Sequence, residues 1–241
     1  MNPECMRDRL IVALDFPSPE EARKLVLALK STIGTYKIGK QLFTAAGPDF
    51  VRELLNAGSH VFLDLKFHDI PNTVGAAVSA AAALGVGMLT VHASGGRKML
   101  RAAVEAAAQS KRPPLILAVT VLTSLDDEDL AEIGVSGRVQ DQVLRLAALS
   151  RNAGCGGIVA SPQEVRELRR ELGTDFAIVT PGVRPEGTAA GDQARVATPA
   201  AAIAAGSTHL VVGRPITGAG DPAAAATAIL QEIAGAKPVL Y

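Results

Sequence analysis

Two carboxylates and a lysine occur directly after an apolar run, in the segment spanning residues 64–73. The preceding residues 60–63 have the β-branched and aromatic content of a buried strand. Because side chains alternate faces along a strand, we expect Asp64 and Lys66 on one face, about 7 Å apart along the backbone. One buried acid and one lysine can neutralise each other as a structural ion pair. Such a pair does not need the additional acid Asp69, so the segment is predicted to carry out chemistry.

Charge balance and composition exclude several classes of function. The 241 residues contain 24 Lys and Arg against 24 Asp and Glu, so no basic excess predicts a nucleic acid or membrane partner. An aromatic content of 3% without Trp disfavours a stacking platform for single-stranded nucleic acid. Cys5 and Cys155 lack the close spacing of a disulfide framework or zinc site, and the charged N-terminus lacks an apolar signal core. These features predict a cytoplasmic protein without a membrane span.

Eight short apolar runs alternate with helical segments along the chain. The predicted strands are residues 10–14, 35–39, 60–66, 87–92, 115–120, 157–160, 176–180 and 210–213. Strict alternation of strand and helix implies a parallel sheet, and eight units predict a single (β/α)8 TIM barrel over residues 1–241. A doubly wound open sheet is the alternative. No Gly-x-Gly-x-x-Gly motif follows the first strand and no P-loop is present, which disfavours that alternative.

Four segments carry the signals of a helix start. Ser18-Pro-Glu-Glu combines an N-cap residue, a proline and early acids, and Ser161-Pro-Gln-Glu repeats the pattern. Asp221-Pro opens the last predicted helix in the same way. An amphipathic segment begins at Pro48 and ends on Gly58. These helices would separate the strands of the barrel.

Polar residues cluster where the predicted strands end, which is where catalytic residues of a (β/α)8 barrel lie. They are Asp15 after the first strand, Lys37 in the second, Asp64 and Lys66 in the third, Thr123 beyond the fifth, Arg184 beyond the seventh, and Gly213 and Arg214 at the eighth. Lys37 lies in an apolar strand and needs an anion nearby. Asp15 can equally cap the first strand. The convergence of these residues on one rim predicts an active site there.

The last two strand ends have the features of a phosphate site. Gly213 offers a main-chain amide with open space for an anion, and Arg214 offers a guanidinium group. Phosphate sites after strands seven and eight recur in this fold. A glycine turn beside a surface arginine is the structural alternative. The polar, glycine-containing residues 184–193 are suited to form a mobile lid over a ligand.

The chain resembles the orotidine 5′-monophosphate decarboxylase family over nearly its full length. The resemblance rests on residues 12–15, 37–40, 62–73, 91–96, 119–124, 180–185, 191–193 and 212–215. Its most specific element is Asp-x-Lys-x-x-Asp-Ile-Pro-x-Thr, which begins at Asp64. The resemblance implies decarboxylation of orotidine 5′-monophosphate to uridine 5′-monophosphate, the last step of pyrimidine nucleotide biosynthesis. It also implies that neither a metal nor an organic cofactor is needed.

The resemblance further implies a role for each site residue. Lys66 would be the proton donor within a charged array of Lys37, Asp64, Lys66 and Asp69. In a homodimer, Asp69 and Thr73 would reach the active site of the neighbouring subunit. Substrate contacts would come from Asp15 and Lys37 at the ribose, Asp64 beside the departing carboxylate, Thr123 near the pyrimidine, and Arg184, Gln193, Gly213 and Arg214 at the phosphate.

Two alternatives remain open from the residues alone. Sugar-phosphate decarboxylases and aldolases on related barrels share the acid-lysine-acid spacing and use it with a metal-stabilised enediolate. The residues from His68 to Thr73 fit the nucleotide enzyme better. The second alternative is a phosphate-ligand binding barrel without catalytic activity. Pure binding does not require a buried Asp64 beside the anion of the substrate, which disfavours this alternative.

Overall fold

The computed structural model describes residues 7–185 and 197–236. Eight parallel strands follow one another around a closed barrel, and the last strand pairs with the first. The strands are β1 (Leu10–Ala13), β2 (Thr35–Gly39), β3 (His60–Phe67), β4 (Met88–His92), β5 (Leu115–Val119), β6 (Gly157–Val159), β7 (Ala177–Thr180) and β8 (His209–Val212). The predicted (β/α)8 TIM barrel is confirmed, and every predicted strand end lies within one residue of the observed one.

Helices follow the strands on the outside of the barrel. They are α1 (Pro19–Leu29), α2 (Lys40–Asn56), α3 (Pro71–Ala83), α4 (Gly96–Ala108), α5 (Asp127–Glu132), α6 (Val139–Asn152), α7 (Val165–Leu172), α8 (Pro199–Ala204), α9 (Arg214–Thr217) and α10 (Pro222–Gly235). Within the described parts of the chain, no helix combines the length and apolarity needed to cross a membrane.

Two of the predicted helix starts are confirmed, and two need correction. The Ser18 and Asp221 side chains accept hydrogen bonds from main-chain amides in the first turns of α1 and α10. The segment predicted from Pro48 is the second part of α2, which is interrupted at Gly47 with φ of 65°. The start predicted at Ser161 is wrong, because α7 begins at Val165. The carboxylate of Glu164 accepts a hydrogen bond from the Ser161 amide at 2.9 Å. The reciprocal capping bond is missing, because the buried Ser161 Oγ has no hydrogen-bond partner among the described residues.

The barrel contains two apolar layers. The larger layer fills the space between the strands and the surrounding helices. The smaller layer fills the barrel interior and consists of Ile11, Ala13, Phe62, Leu117, Val179 and Val211. Three of these interior residues, Ala13, Phe62 and Val211, also line a cleft at the C-terminal ends of the strands. The interior packing therefore forms a rigid floor beneath the polar residues of the rim.

Candidate active site

A cleft of about 530 Å³ lies over the C-terminal ends of the strands. It brings together eight of the eleven residues predicted for the site: Asp15, Lys37, Asp64, Lys66, Thr123, Arg184, Gly213 and Arg214. The apolar wall of the cleft includes Phe62, Val121, Leu122, Val159 and Pro181. A cleft of this volume, with convergent charges beside an apolar wall, is typical of a site for a small molecule.

Four charged side chains form a chain of alternating sign along one side of the cleft. The Lys37 Nζ donates to Asp15 Oδ1 at 2.8 Å and lies 3.8 Å from Asp64 Oδ2. The Lys66 Nζ lies 2.8 Å from both carboxylate oxygens of Asp64. The carboxylate of Asp64 therefore lies between two ammonium groups. The prediction that Lys37 requires an anion is confirmed, since it contacts two.

Burial and charge act in opposite directions on Asp64. Burial raises the pKa of its carboxyl group, because the charged form loses water. The positive charges of Lys66 and Lys37, with hydrogen bonds from Lys66 and Thr90, lower it. The balance holds the pKa of Asp64 below its usual value, so the carboxylate is charged at neutral pH.

The backbone at Lys66 departs from a regular strand. Among residues 7–185 and 197–236, Lys66 is the only residue other than glycine with a positive φ, at 53°. The pairing of β3 with β4 shifts register between Leu63 and Phe67. The sequence predicted contact between Asp64 and Lys66 from simple alternation. The contact is present, but it forms across this irregularity rather than along a regular pleat.

Two glycines leave space for the polar groups of the cleft. A Cβ atom at Gly39 would lie 3.0 Å from Lys37 Nζ and 3.1 Å from Asp15 Oδ1, closer than side chains normally pack. Gly213 follows β8 and lines the cleft beside Arg214. At this position the nearest neighbour of an added Cβ would be Ala13 Cβ at 3.7 Å, which is ordinary contact. A side chain at position 39 would therefore displace the ends of the Lys37 and Asp15 side chains by a few tenths of an ångström, whereas Gly213 leaves the main chain open to the cleft.

The cleft also contains two guanidinium groups. Arg184 follows β7 and Arg214 begins α9, so the last two strands position both. Burial lowers the pKa of Arg184, and the nearby charge of Arg214 lowers it further. Two cations that repel each other across a cleft favour an anion bound between them. The site therefore separates an array of alternating charges from a positively charged end.

Three predicted site residues are not among the described residues that line this cleft. Asp69 and Thr73 are exposed on the rim, outside the cleft lining of their own chain. The Asp69 carboxylate accepts a hydrogen bond from the Ile70 amide at 2.6 Å. Gln193 lies outside the described residues, as does most of the predicted lid at 184–193. One chain thus places Lys37, Asp64 and Lys66 of the predicted array together, with Asp15 extending it.

The sequence analysis did not predict a role for Thr90. This residue of β4 is fully buried, and its hydroxyl group contacts both Asp64 and the Lys66 main chain. The available signal was a hydroxyl side chain within the otherwise apolar residues 88–91. The same strand ends at His92, whose ring lies 5.5 Å from that of His68. Burial lowers the pKa of His92 to about 4, and nearby positive charges contribute to this shift. The His92 imidazole is therefore neutral at pH 7.

The described residues show no group of three or more His, Cys, Asp or Glu side chains placed to hold a metal ion. Cys155 is buried, and burial raises the pKa of its thiol to about 12. This is the behaviour of an unreactive core cysteine.

The fold and the cleft together define a (β/α)8-barrel enzyme with a charged array and two arginines at the C-terminal face of its strands. The model of the orotidine 5′-phosphate decarboxylase / HUMPS family matches residues 8–229. The chain belongs to this family, which confirms the resemblance drawn from its motifs and the prediction of a decarboxylase-family enzyme.

Individual relatives agree with the family match. The chain is 57% identical over 228 residues to the orotidine 5′-phosphate decarboxylase of Halorhodospira halophila, covering 95% of this chain and 97% of the relative. It is 54% identical to the enzyme of that name from Moorella thermoacetica, covering 94% and 92%. The crystal structure of orotidine 5′-phosphate decarboxylase from Lactobacillus acidophilus superposes with a TM-score of 0.84 at 41% identity, covering 93% of this chain and 98% of that one.

Proposed function

We propose that this chain converts orotidine 5′-monophosphate to uridine 5′-monophosphate and CO2, as the last step of pyrimidine nucleotide biosynthesis. The observation that carries the proposal is the alternating chain Asp15–Lys37–Asp64–Lys66, which lies in one cleft with two arginines. The names of the relatives and the match to the family model support the choice of substrate.

Lys66 is the proposed proton donor. When the bond between the pyrimidine ring and its carboxylate breaks, CO2 leaves and the electron pair stays on the ring carbon. The ammonium group of Lys66 stabilises that developing negative charge and then transfers a proton to the carbon. Solvent returns the proton to the lysine afterwards. The Asp64 carboxylate holds the Lys66 side chain in place before the reaction, and its charge disfavours the carboxylate of the bound substrate more than the transition state.

The remaining cleft residues are proposed to bind the rest of the nucleotide. Asp15 and Lys37 would contact the ribose hydroxyl groups, and Thr123 would approach the pyrimidine. Gly213 and the two arginines would bind the phosphate with Gln193. A phosphate held far from the reacting carbon supplies binding energy that positions the ring against Lys66. The reaction therefore depends on both ends of the cleft.

Lys66→Ala tests the mechanism directly. Release of CO2 from orotidine 5′-monophosphate should be abolished, while binding of uridine 5′-monophosphate is largely kept because the arginines remain. Lys30→Ala is the matched control, since it removes an exposed lysine at the end of α1 and should leave turnover unchanged. Near-normal CO2 release by the Lys66 variant would refute the mechanism.

The same assay separates the two alternative functions. Turnover that stops with a chelator and returns with magnesium would favour a metal-dependent sugar-phosphate enzyme. Tight binding of the nucleotide without any CO2 release by the parent would favour a binding protein. Cofactor independence and a cytoplasmic location stay predictions from the sequence.

We further propose a homodimer in which Asp69 and Thr73 complete the site of the neighbouring subunit. Both residues are exposed beside Ile70, an apolar side chain that is 66% exposed. An exposed apolar residue flanked by polar residues at the rim of a cleft suits a contact with a second copy.

Hybrid dimers test this arrangement. Lys66→Ala and Asp69→Ala chains carrying different affinity tags are produced together, and dimers with one chain of each kind are isolated. If Asp69 acts in the neighbouring site, one site carries both defects and the other carries none. Each hybrid should then show about half of the parental activity, although each variant alone is inactive. Hybrids as inactive as the single variants would contradict the proposed exchange of residues.

A further inference from the structure

Thr90 faces the irregularity in the pairing of β3 with β4. Leu63 pairs with Leu89 and Phe67 pairs with Val91, so residues 64–66 lie opposite the single residue Thr90. Two extra residues in β3 form a bulge there, and a bulge leaves main-chain groups without their usual partners on the neighbouring strand. The bulge also contains the proposed catalytic pair.

The hydroxyl group of Thr90 takes the place of a main-chain hydrogen-bond partner that is lost at the bulge. The Lys66 main-chain amide donates to Thr90 Oγ1 at 2.9 Å, and Thr90 Oγ1 donates to Asp64 Oδ1 at 2.9 Å. A carboxylate can only accept, and the amide can only donate, so the direction of both hydrogen bonds is fixed. Thr90 has no exposed surface, which leaves no water to replace it. One buried hydroxyl therefore connects the backbone of Lys66 to the carboxylate of Asp64.

This connection acts on both ends of the Lys66 side chain. The left-handed φ of 53° is unfavourable for a residue with a Cβ atom, and the bond to Thr90 holds the backbone in it. At the other end, the Lys66 ammonium contacts both oxygens of Asp64, and Thr90 fixes one of these oxygens. The Thr90 hydroxyl therefore fixes the Lys66 ammonium group in two ways. It holds the main chain of Lys66, and it holds the Asp64 carboxylate that the ammonium group contacts.

We propose that Thr90 is a positioning residue for the reaction, whose hydroxyl holds Asp64 and Lys66 in the arrangement that delivers the proton. The proposal rests on the proposed function of Lys66. Thr90 does not line the cleft, so it acts through the pair and not on the substrate.

Thr90→Val tests the proposal, because it keeps the branched shape and removes both hydrogen bonds. We expect kcat for CO2 release to fall about 10- to 100-fold, since a small misplacement of a catalytic group has effects of this size. KM should change less than about threefold, because the ribose and phosphate contacts are untouched. Thr90→Ser restores the hydroxyl and should recover kcat to within about threefold of the parent.

Thr208→Val is the matched control at the other end of the barrel. The Thr208 hydroxyl also accepts from a strand amide, that of Ile178 at 3.0 Å, and donates to the Ile178 carbonyl at 2.9 Å. The same hydroxyl contacts His209 Nδ1 at 2.9 Å. This variant therefore loses at least as many hydrogen bonds as Thr90→Val, at a position outside the cleft, and should keep the parental kcat. Thr90→Ala removes the same hydroxyl with less bulk and replaces Thr90→Val if that variant does not fold.

The outcomes separate this inference from the proposed function. A parental kcat in folded Thr90→Val or Thr90→Ala would overturn the positioning role. So would an equal loss in the Ser variant, because the cause would then be packing. An equal fall in Thr208→Val would show that any lost strand contact slows the enzyme, which also overturns it. If the parent releases no CO2 from orotidine 5′-monophosphate while binding it, the proposed function fails and this inference fails with it.

Discussion

Asp64→Asn removes the negative charge that lies between two ammonium groups. The amide has nearly the shape of the carboxylate, so the change affects charge more than packing. Lys66 would keep one hydrogen-bond acceptor and lose its counter-ion, whereas Lys37 would still contact Asp15 at 2.8 Å. We expect the variant to fold and to be less stable than the parent.

The size of the effect follows from the distances. At an effective dielectric constant of about 20, the attraction of Asp64 is about 6 kcal/mol to Lys66 at 2.8 Å and about 4 kcal/mol to Lys37 at 3.8 Å. Desolvation of the buried groups offsets several kcal/mol of this sum. Removing one member of a buried pair typically costs about 3–5 kcal/mol. Because the Lys66 side chain is 25% exposed and can regain water, we expect about 3 kcal/mol.

The pH dependence has a definite sign. The pKa of Asp64 is lowered in the folded state, so its stabilising contribution is present above the unfolded pKa of about 3.9. That contribution is lost as the pH falls through the lower pKa of the folded state. The stability difference between parent and Asp64→Asn should therefore be constant from about pH 5 to pH 8 and shrink below about pH 4.

Urea unfolding of both proteins at several pH values measures this difference. At pH 7 the variant should also melt about 6–12 °C below the parent, given the length of the chain. Asp49→Asn is the control, because Asp49 is an exposed carboxylate paired with Arg52 on the surface of α2, and no measurable change is expected. A variant as stable as the parent at pH 7, or a difference that grows on acidification, would refute the electrostatic reasoning.

Two further predictions concern the remaining contacts of the cleft. Arg214→Ala should lower kcat/KM about 30- to 150-fold, as expected for loss of a charge-assisted contact of about 2–3 kcal/mol. Steady-state kinetics measures this change, and an unchanged KM would contradict a phosphate contact. Gly39→Ala places a Cβ against the Lys37 and Asp15 pair and should raise KM about tenfold or more. Gly235→Ala, where an added Cβ meets no neighbour, should have parental kinetics, and equal behaviour of the two variants would contradict the contact.

Most of the barrel could be predicted because each strand and helix has its own signal within a short stretch of sequence. Each strand is a short apolar run, and the residues at its end fall on one rim once the strands are parallel and closed. Lys37, Asp64 and Arg214 could thus be placed in one site without coordinates. At Ser161 only half of the capping pattern forms: its amide donates to the Glu164 carboxylate, but its own hydroxyl group makes no capping bond. A capping pattern alone does not distinguish these two outcomes.

The bulge at Lys66 could not be predicted from the motif. Alternation of side chains predicts the contact between Asp64 and Lys66 but not the positive φ of Lys66. It also does not predict how β3 pairs with β4. The irregularity depends on Thr90, which is 24 residues away in sequence. Asp69 and Thr73 are a second case, because the exposure of the apolar Ile70 between them follows from the fold of the whole chain and not from the motif.

The charges of the cleft explain why the two ends must act together in the proposed reaction. Within one chain the two carboxylates and two ammonium groups of the array cancel, and the proposed Asp69 of the neighbouring subunit adds a negative charge. The array therefore offers no net positive charge to bind the carboxylate of the substrate. The two arginines face a phosphate that carries about two negative charges at neutral pH. Binding energy therefore comes from the phosphate end, while the carboxylate enters beside Asp64 without net compensation. Loss of CO2 removes that repulsion and places the new negative charge next to Lys66, whose position Asp64 and Thr90 fix.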